Sequence, residues 1–470
     1  MKKYYLPLIV LMIIGMFSAC KQPQTKANPL GKAYRQNKNG WIYVHLEGTP
    51  AQIGYQHGYL LSKEIDTLLK VMQYYLPYSS HKDWNFYRSA ASRLLWKKVD
   101  PEYQQEIQGI VKGLHDKGFK YDSLDITALN ANIELASYYV PMLMNKAKPG
   151  SGDNKAPGNC SAFIATGKYT KDGKIVMGHN NWTDYIVGER WNVIADIVPS
   201  KGNHMMMDCM PGFIHSGDDF LITGNGIMIT ETTITGFKGF DTTRTPEFVR
   251  ARKAAQYSNS IDDVVKIMTA DNNGGYANDW LIGDTKTNEV AKLELGLKHY
   301  KVWRSRDTAI IGSNFPSDPQ VIKDETTFEV NNAANSPNAR KLRMQQLVAV
   351  DYKGKLSDVT GKVIEGDTYD AYHKTNAQNR CVIDGHIDED PLGCPEWSEG
   401  PYFPMGAVQG KVVTAALAKN MQFWAHMGHP GGSDFLAAPF FAKHPQYKYQ
   451  SKYLHDMKAY PWTLFSAAKN

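Results

Sequence analysis

The sequence lacks the motifs that identify several large enzyme classes. It contains no G-x-S-x-G nucleophile elbow, no H-E-x-x-H zinc motif, no phosphate-binding P-loop and no paired C-x-x-C. It also lacks a strong charge imbalance, since 53 Lys and Arg stand against 47 Asp and Glu without a basic stripe. A serine α/β-hydrolase, a zincin, a P-loop NTPase and a nucleic-acid-binding protein are therefore all disfavoured.

The chain opens with "MKKYYLPLIVLMIIGMFSAC". Two lysines, an apolar run too short to span a bilayer comfortably, small residues and then Cys20 form the layout of a secretory signal. The order resembles a bacterial lipobox, although Phe17 replaces the usual Leu. We therefore predict that residues 1–19 are a lipoprotein signal peptide and that Cys20 carries the lipid. An ordinary signal peptide and an uncut membrane anchor are the alternatives.

Lipidation at Cys20 implies an exported bacterial lipoprotein held at the outer membrane, with the side of that membrane left open. Residues 20–40 are then a polar spacer between the lipid and a globular region. About 450 residues remain, of which many are apolar or aromatic, and the sequence shows no second linker and no internal repeat. This composition predicts a well-cored globular protein.

Cysteine is scarce, with five residues in the whole chain. An exported protein can form disulfides, and Cys381 with Cys394, 13 residues apart in a loop-like stretch, is the best candidate pair. Cys160 and Cys209 could also bond to each other. An unpaired thiol outside the cytoplasm otherwise needs a chemical reason.

Hydrophobic periodicity predicts strand pairs that alternate with helices. A loop rich in Gly and Pro at 146–158 precedes a hairpin at 160–181, for which Asp172 and Gly173 supply the turn. A further strand is predicted at 41–48 and strand pairs at 219–234 and 279–296, and the predicted helices are 50–76, 101–117, 123–146, 246–270, 338–350 and 407–424. Such an order favours an α+β fold of antiparallel sheets covered by helices.

The segment "DGHIDEDP" concentrates acidic residues around one histidine, with Asp384, His386, Asp388 and Asp390 in a short span. These side chains could bind a cation, but their spacing is not that of an EF-hand. A solvated loop is the alternative, and we expect the solvated loop here.

Cys160 follows the Gly/Pro-rich loop and begins the predicted hairpin. If the bond between Asn159 and Cys160 broke, the new α-amine, with an ordinary pKa of about 7.7–8.0, could act as the general base for its own thiol. The thiol itself could cleave the bond by an N-to-S acyl shift that water then resolves. On these features alone, a buried structural cysteine at the start of a strand is the simpler explanation.

The stretch "NCSAFIATGKYTKDGKIVMGHNNW" resembles the nucleophile hairpin of the phospholipase B-like proteins, a branch of the N-terminal-nucleophile hydrolases. "MPGFIHSGDDFLITGNGIMITETTI" and "GAVQGKVV" resemble later segments of that family, and "LEGTPAQIGYQHGYLLSKEI" is similar to the opening of penicillin acyltransferase-like relatives. The resemblance runs from about residue 40 to the end. It implies a four-layer αββα sandwich of two antiparallel sheets flanked by helices. It also implies cleavage before residue 160, into an N-terminal fragment of the domain (41–159) and a C-terminal fragment (160–470).

The resemblance also implies roles for individual residues. Cys160 would be the nucleophile, Asn278 would donate to the oxyanion, and Arg340 would be an active-site arginine, although a surface helix Arg is an alternative. Asn272 and Asn273 are close enough in sequence to Asn278 to be mistaken for it. In "GHNNW", His179 and Trp182 stand where choloylglycine hydrolases carry Arg and Asp, which argues against a bile-salt substrate.

The hairpin gives these positions a physical reason, because folding back about Asp172 and Gly173 returns residues near 179–185 to Cys160. His179 could then hydrogen-bond the substrate or steady the amine, or simply be a satisfied polar residue of a strand. Trp182 and Asn181 are candidate substrate-binding residues.

Together these features predict a self-cleaving cysteine hydrolase of carboxylic acyl bonds, with no cofactor and no metal. Its partners would be a small acyl-containing lipid or amide and, through the N-terminal lipid, a membrane; the two fragments would stay associated. An amidase or acyltransferase acting on acylated amines or small peptides is one alternative. A catalytically silent binding lipoprotein with the same fold is another.

Overall fold

A computed structural model of the chain describes residues 1–3, 29–147, 160–217 and 220–468. Cys20, Asn159 and most of the Gly/Pro-rich loop lie outside the described residues. Among the helices of the described residues, none combines the length and the apolar character needed to cross a bilayer.

The strands, in chain order, are β1 (Tyr34–Lys38), β2 (Trp41–Gly48), β3 (Cys160–Thr166), β4 (Val176–Asp184), β5 (Val193–Pro199), β6 (Met205–Cys209), β7 (Leu221–Thr223), β8 (Ile227–Thr233), β9 (Asn278–Asp284), β10 (Glu289–Leu295), β11 (Tyr300–Ser305), β12 (Thr308–Gly312), β13 (Tyr369–Asp370), β14 (Thr375–Asn376), β15 (Met405–Thr414), β16 (Gln422–Met427) and β17 (Thr463–Ser466).

The helices are α1 (Pro50–Leu60), α2 (Ser62–Ser79), α3 (Trp84–Ala90), α4 (Pro101–Asp116), α5 (Ser123–Asn130), α6 (Asn132–Glu134), α7 (Val140–Ala147), α8 (Tyr185–Gly188), α9 (Glu247–Tyr257), α10 (Ile261–Thr269), α11 (Pro319–Glu325), α12 (Ser336–Gln346), α13 (Asp358–Glu365), α14 (Ala415–Lys419) and α15 (Ala437–Lys443).

Two large sheets form the centre of the protein. Within the described chain, the first sheet has the strand order β1-β2-β5-β6-β7-β8-β9-β10-β11, and the second has the order β12-β3-β4-β15-β16-β17. Neighbouring strands are antiparallel, apart from β2 and β5, which run parallel. A separate two-stranded ribbon joins β13 and β14.

Both large sheets are buried on both faces, as alternating side chains show. In β2, Trp41 and Tyr43 join a cluster with residues of the second sheet, whereas Ile42 and Val44 join the cluster formed with α1, α2 and α4. In the second sheet, Phe163 of β3 packs with residues of α12 and α13. Because successive strand residues point to opposite faces, the layers follow as helix, sheet, sheet, helix. The predicted α+β sandwich is confirmed.

The helix predicted over 50–76 is divided in two at Leu61. It begins as predicted, because Thr49 and Gln52 form a capping box before Pro50. The helix predicted over 246–270 is likewise divided, since α9 ends at Tyr257 and Ser260 caps α10. The predictions at 41–48, 101–117 and 279–296 match strands or helices with small changes of boundary.

The helix predicted over 407–424 is wrong. This segment forms the central strand β15, a short α14 and the strand β16. Val408, Val412 and Val413 favour extended backbone, and β15 is hydrogen-bonded to β4 on one side and β16 on the other. Hydrogen bonding to a strand on each side therefore outweighs the weak helical pattern of this segment.

The candidate disulfide between Cys381 and Cys394 is not formed, and Cys160 and Cys209 are not bonded to each other. The Cys381 thiol faces the carbonyl of Ala334 at 4.0 Å. Cys394 instead pairs through its backbone with Glu399. Burial raises the pKa of the Cys381 thiol to about 12, so it stays protonated at neutral pH.

Candidate active site

Cys160 is the first residue of β3, and its thiol is fully buried between the two sheets. Its Sγ donates to Oε1 of Glu231, 3.6 Å away on β8 of the facing sheet. Its backbone N–H donates to Oδ1 of Asn314 at 3.3 Å. The hairpin pattern therefore places a cysteine where both its thiol and its nitrogen meet polar side chains from distant parts of the chain.

The β3–β4 hairpin brings the predicted partners back to Cys160. Asn181 lies directly opposite Cys160, and His179 lies opposite Ala162. Donor atoms of Cys160, His179 and Glu231 all lie within 4.8 Å of one another. Thiol, imidazole and carboxylate are also donors that zinc accepts. The same three groups are suited to proton transfer around a nucleophile.

Asn181 and Trp182 have different surroundings. Asn181 is buried, and its Nδ2 has no hydrogen-bond partner within the described part of the chain. Trp182 lies on the face of β4 toward α12, where its Nε1 donates to the carbonyl of Ile383 at 3.3 Å and its ring stacks against Arg340 at 4.3 Å. Asn181 is therefore placed to meet a ligand, and Trp182 supports Arg340.

Arg340 extends from α12 into the interior and is fully buried, so it is not a surface helix residue. Its Nη1 donates to the Cys160 carbonyl at 2.7 Å and to Ser161 Oγ at 2.9 Å, and its Nη2 donates to Asn314 Oδ1 at 2.8 Å. Burial lowers the pKa of Arg340 to about 10, which still leaves it charged at neutral pH. This cation fixes the start of β3.

Asn278 begins β9 and shares the carboxylate of Glu231 with Cys160. With the amide oriented to satisfy its neighbours, Nδ2 of Asn278 donates to Glu231 Oε2 at 2.9 Å and to the carbonyl of Ala277 at 3.0 Å. The hydroxyl of Tyr276 donates to Glu231 Oε1 at 2.8 Å. Glu231 therefore connects the thiol to the amide that the resemblance assigns to the oxyanion.

The other two asparagines of that segment are engaged elsewhere. Asn272 donates to the carbonyl of Gly296 at 2.6 Å, and Asn273 donates to Glu134 at 2.5 Å. Each also accepts a backbone N–H two residues further on. Both hold the loop before β9, and Asn278 is the one that reaches the Cys160 site.

Sequence reasoning missed Glu231, Tyr276 and Asn314. A signal for Glu231 existed, because it is the only charged residue between 221 and 233, in two strands that are otherwise apolar or uncharged. Tyr276 and Asn314 have left-handed backbone, with φ of 54° and 70°. Such backbone is uncommon for residues other than glycine and is found often at functional sites.

Two cavities lie near segments that lead to the site, although neither is lined by Cys160, His179, Glu231 or Asn278. One, of about 260 Å³, is lined by Tyr138, Met142 and Phe237 among others. The Tyr138 hydroxyl accepts the N–H of Ala277, the residue before Asn278, at 3.2 Å. The other cavity, of about 310 Å³, includes Thr235, whose hydroxyl accepts from Trp397 Nε1 at 3.2 Å. A larger cleft of about 760 Å³ between α1 and α4 shares no residue with the site.

Comparison with known proteins gives consistent matches. A family model described as Phospholipase B matches residues 41–296. An uncharacterized protein of Archaeoglobus fulgidus is 25% identical over 325 residues, which cover 64% of this chain and 51% of the relative. Putative phospholipase B-like 1 of Caenorhabditis elegans is 23% identical over 412 residues, covering 78% of this chain and 71% of the relative.

Putative phospholipase B-like 2 of Homo sapiens is 28% identical over 187 residues, which cover 36% of this chain and 30% of the relative. The chain thus spans about half the length of the archaeal relative and a third or less of the human one.

Proposed function

The chain belongs to the phospholipase B family, and from this premise we propose that it is a hydrolase of carboxylic acyl bonds with Cys160 as its nucleophile. The observation that carries the proposal is the convergence of Cys160, His179, Glu231 and Asn278 at the start of β3. A buried thiol beside an imidazole, a carboxylate and an amide donor has the groups that acyl transfer requires.

We propose that the protein first cleaves itself, as an N-terminal-nucleophile hydrolase does. The Cys160 thiol attacks the carbonyl carbon of Asn159, the acyl group moves from nitrogen to sulfur, and water hydrolyses the resulting thioester. The products are a carboxyl group on Asn159 and a free α-amine on Cys160. Burial between two sheets orients the thiol for this step, which proximity accelerates.

The contacts of the Cys160 nitrogen explain how that amine would serve as a base. Oδ1 of Asn314 accepts the N–H of the uncut chain and would accept a proton of the amine in the same position. Arg340 donates to the same Oδ1, so a positive charge lies near the amine. A nearby cation disfavours the ammonium form, and this lowers the pKa of the amine and favours its action as a base.

In the hydrolytic cycle, the amine takes the thiol proton and the thiolate attacks the acyl carbon of the substrate. Nδ2 of Asn278 releases the Ala277 carbonyl and donates that hydrogen bond to the tetrahedral oxyanion, while its bond to Glu231 holds it beside the thiol. The alcohol or amine of the substrate leaves with the proton, and a thioester remains on Cys160. Water then attacks the thioester, releases the carboxylic acid and restores the thiol. His179 and Asn181 would hydrogen-bond the substrate.

The proposed site for the acyl chain is the cavity lined by Tyr138, Met142 and Phe237, with Lys146 and Lys238 also on its wall, because Tyr138 hydrogen-bonds the residue before Asn278. The family's name points to fatty acyl groups of phospholipids. Thioester chemistry also accepts amides, so an amidase or acyltransferase on acylated amines or small peptides is the second candidate. The signal peptide, the lipid on Cys20 and the outer-membrane location stay predictions from the N-terminal sequence.

The test is the intact mass of the purified protein under reducing, denaturing conditions, beside Cys160→Ala. We expect fragments of roughly 16 and 35 kDa by residue count, with a new N-terminus at Cys160, and one uncut chain for the variant. Cys209→Ala removes another buried cysteine and should cleave normally. An ester and an amide with the same acyl group then separate the two candidate activities by the acid that each releases.

One uncut, inactive chain in the wild type would contradict the proposal and favour a binding protein of the same fold. Cleavage that persists in Cys160→Ala would move the nucleophile to another residue.

A further inference from the structure

The segment "DGHIDED" is not a solvated loop, contrary to the expectation from the sequence. Asp384, His386 and Asp388 are all buried, and Asp384 is 0% exposed. His429, from the loop after β16, meets this segment and is 1% exposed. Donor atoms of Asp384, His386 and His429 all lie within 4.8 Å of one another. Buried polar side chains require hydrogen-bond or metal partners, and these three side chains lie close enough together to share one.

One possible ligand atom of these three residues, Nδ1 of His429, has no partner among the described residues. Oδ2 of Asp384 lies 3.0 Å from Nε2 of His386, and the rings of His386 and His429 stack with centroids 4.1 Å apart and planes 27° apart, so one ring must turn before both can face one ion. Nδ1 of His429 is buried and has no hydrogen-bond partner among the described residues. A buried ring nitrogen left open beside a histidine and a carboxylate points to a ligand at that position.

The surrounding groups are arranged as the outer partners of a metal centre usually are. Oδ1 of Asp384 accepts the N–H of Gly431 at 3.0 Å. Nδ1 of His386 faces Oδ1 of Asp388 at 3.9 Å, and the same oxygen accepts the hydroxyl of Tyr185 at 2.6 Å. The Gly431 N–H therefore orients the Asp384 carboxylate, and the Asp388 carboxylate lies behind His386 beyond hydrogen-bond distance.

We propose that Asp384, His386 and His429 bind one divalent transition-metal ion, with Zn²⁺ the preferred ion. Two imidazoles and one carboxylate suit zinc, whereas Ca²⁺ and Mg²⁺ prefer sets made of oxygen alone. Three protein ligands leave one coordination position for a water molecule or another donor. Binding would replace the proton between Asp384 and His386 with the metal ion, and that proton would pass to solvent.

The position of this site suggests a structural role. Gly385, between two of the ligands, lies so close to Trp182 that a Cβ at this residue would be 2.0 Å from Cζ2 of the indole. Trp182 in turn stacks against Arg340, which holds Cys160. An ion that joins the loop before β15 to the loop after β16 would therefore fix the support of Arg340 without touching the thiol.

The test is metal content and affinity in the full chain. The protein is stripped with EDTA, reloaded with Zn²⁺, dialysed and analysed by inductively coupled plasma mass spectrometry. We expect one Zn²⁺ per chain, and a loss of affinity of more than about 100-fold in His429→Gln and in Asp384→Asn, because even an outer partner contributes about 10- to 100-fold. His373→Gln and Cys160→Ala should keep the ion, since each alters a different cluster of donors.

A spectroscopic readout keeps the test valid if a ligand variant fails to fold. Co²⁺ substituted into the wild-type protein should give the visible bands of a four-coordinate nitrogen and oxygen site, without a thiolate-to-cobalt band. Thermal stability should rise with Zn²⁺ and fall again with EDTA. A thiolate band, loss of metal in Cys160→Ala, or a content well below one ion per chain that is unchanged in His429→Gln would overturn the proposal.

Discussion

Asn278 carries the most specific assignment at the scale of single residues. If its amide donates to the oxyanion, Asn278→Ala should lower kcat by about 100- to 1,000-fold and change KM little. The reason is that the hydrogen bond strengthens only as charge develops on the oxygen. Steady-state kinetics with an ester substrate measures both constants, once intact mass has shown that the variant cleaves itself.

Asn272→Ala is the matched control for that prediction. It removes an amide of the same loop that hydrogen-bonds the Gly296 carbonyl and the N–H of Gly274. We expect it to reduce stability and to leave kcat of the folded protein unchanged. Equal losses of kcat in the two variants would show that the loop, and not the Asn278 amide, matters for turnover.

Motif position made Cys160, Asn278 and Arg340 candidates because each lies within a recognisable local pattern, and the structure brings the three together. Glu231 and Asn314 were missed for a physical reason. Glu231 is 71 residues from Cys160 and lies on the facing sheet, and Asn314 is 154 residues away and follows β12, the neighbour of β3 in the same sheet. A single sequence reports the residues along one strand and not those that a neighbouring strand or a facing sheet brings to it.

At the scale of elements, local patterns predicted short-range geometry well. The hairpin returned Asn181 to the position opposite Cys160, and the capping box at Thr49 fixed the start of α1. The pattern failed where long-range contacts decide, as for β15, which lies between two strands distant in sequence from one another. It failed again for the segment around His386, whose charges are buried because they meet one another.

The crossing of α1 and α4 depends on glycines in both helices. A Cβ at Gly58 would lie 2.1 Å from the carbonyl oxygen of Ile110, and a Cβ at Gly113 would lie 2.5 Å from that of Tyr55. The backbones of the two helices are therefore in direct contact. No larger residue fits at these positions unless the helices move apart.

Gly58→Ala separates helix propensity from packing. Propensity alone predicts a gain of up to about 1 kcal/mol, but the clash with Ile110 should outweigh it. We expect a net loss of about 1–3 kcal/mol in the free energy of unfolding. Urea unfolding in the Cys160→Ala background, where the chain stays whole, measures the change.

Gly224→Ala is the control for this comparison, because its Cβ would meet ordinary contacts no closer than 3.4 Å. It should change the free energy of unfolding by less than about 0.5 kcal/mol. A Gly58→Ala protein as stable as the wild type would mean that α1 and α4 can separate at little cost.

At the scale of the whole molecule, both proposed fragments contribute to the same sheet. β1 and β2 precede Cys160, and β2 pairs in parallel with β5 from residue 42 to residue 48. Two ion pairs also connect the α4 region with α9. Glu106 forms a buried, two-pronged pair with Arg252, at 3.0 and 2.9 Å, and Asp100 forms an exposed pair with Lys253 at 2.9 Å.

The cleaved protein should therefore elute from gel filtration as one particle and separate only in denaturant. Glu106→Gln should lower the stability of the associated state by about 3–5 kcal/mol, because it leaves a buried guanidinium without its carboxylate. Asp100→Asn breaks the exposed pair between the same two regions and should cost at most about 1 kcal/mol. Urea titration followed by gel filtration measures both. Fragments that separate in native buffer, or equal shifts in the two variants, would contradict an association held by the buried core.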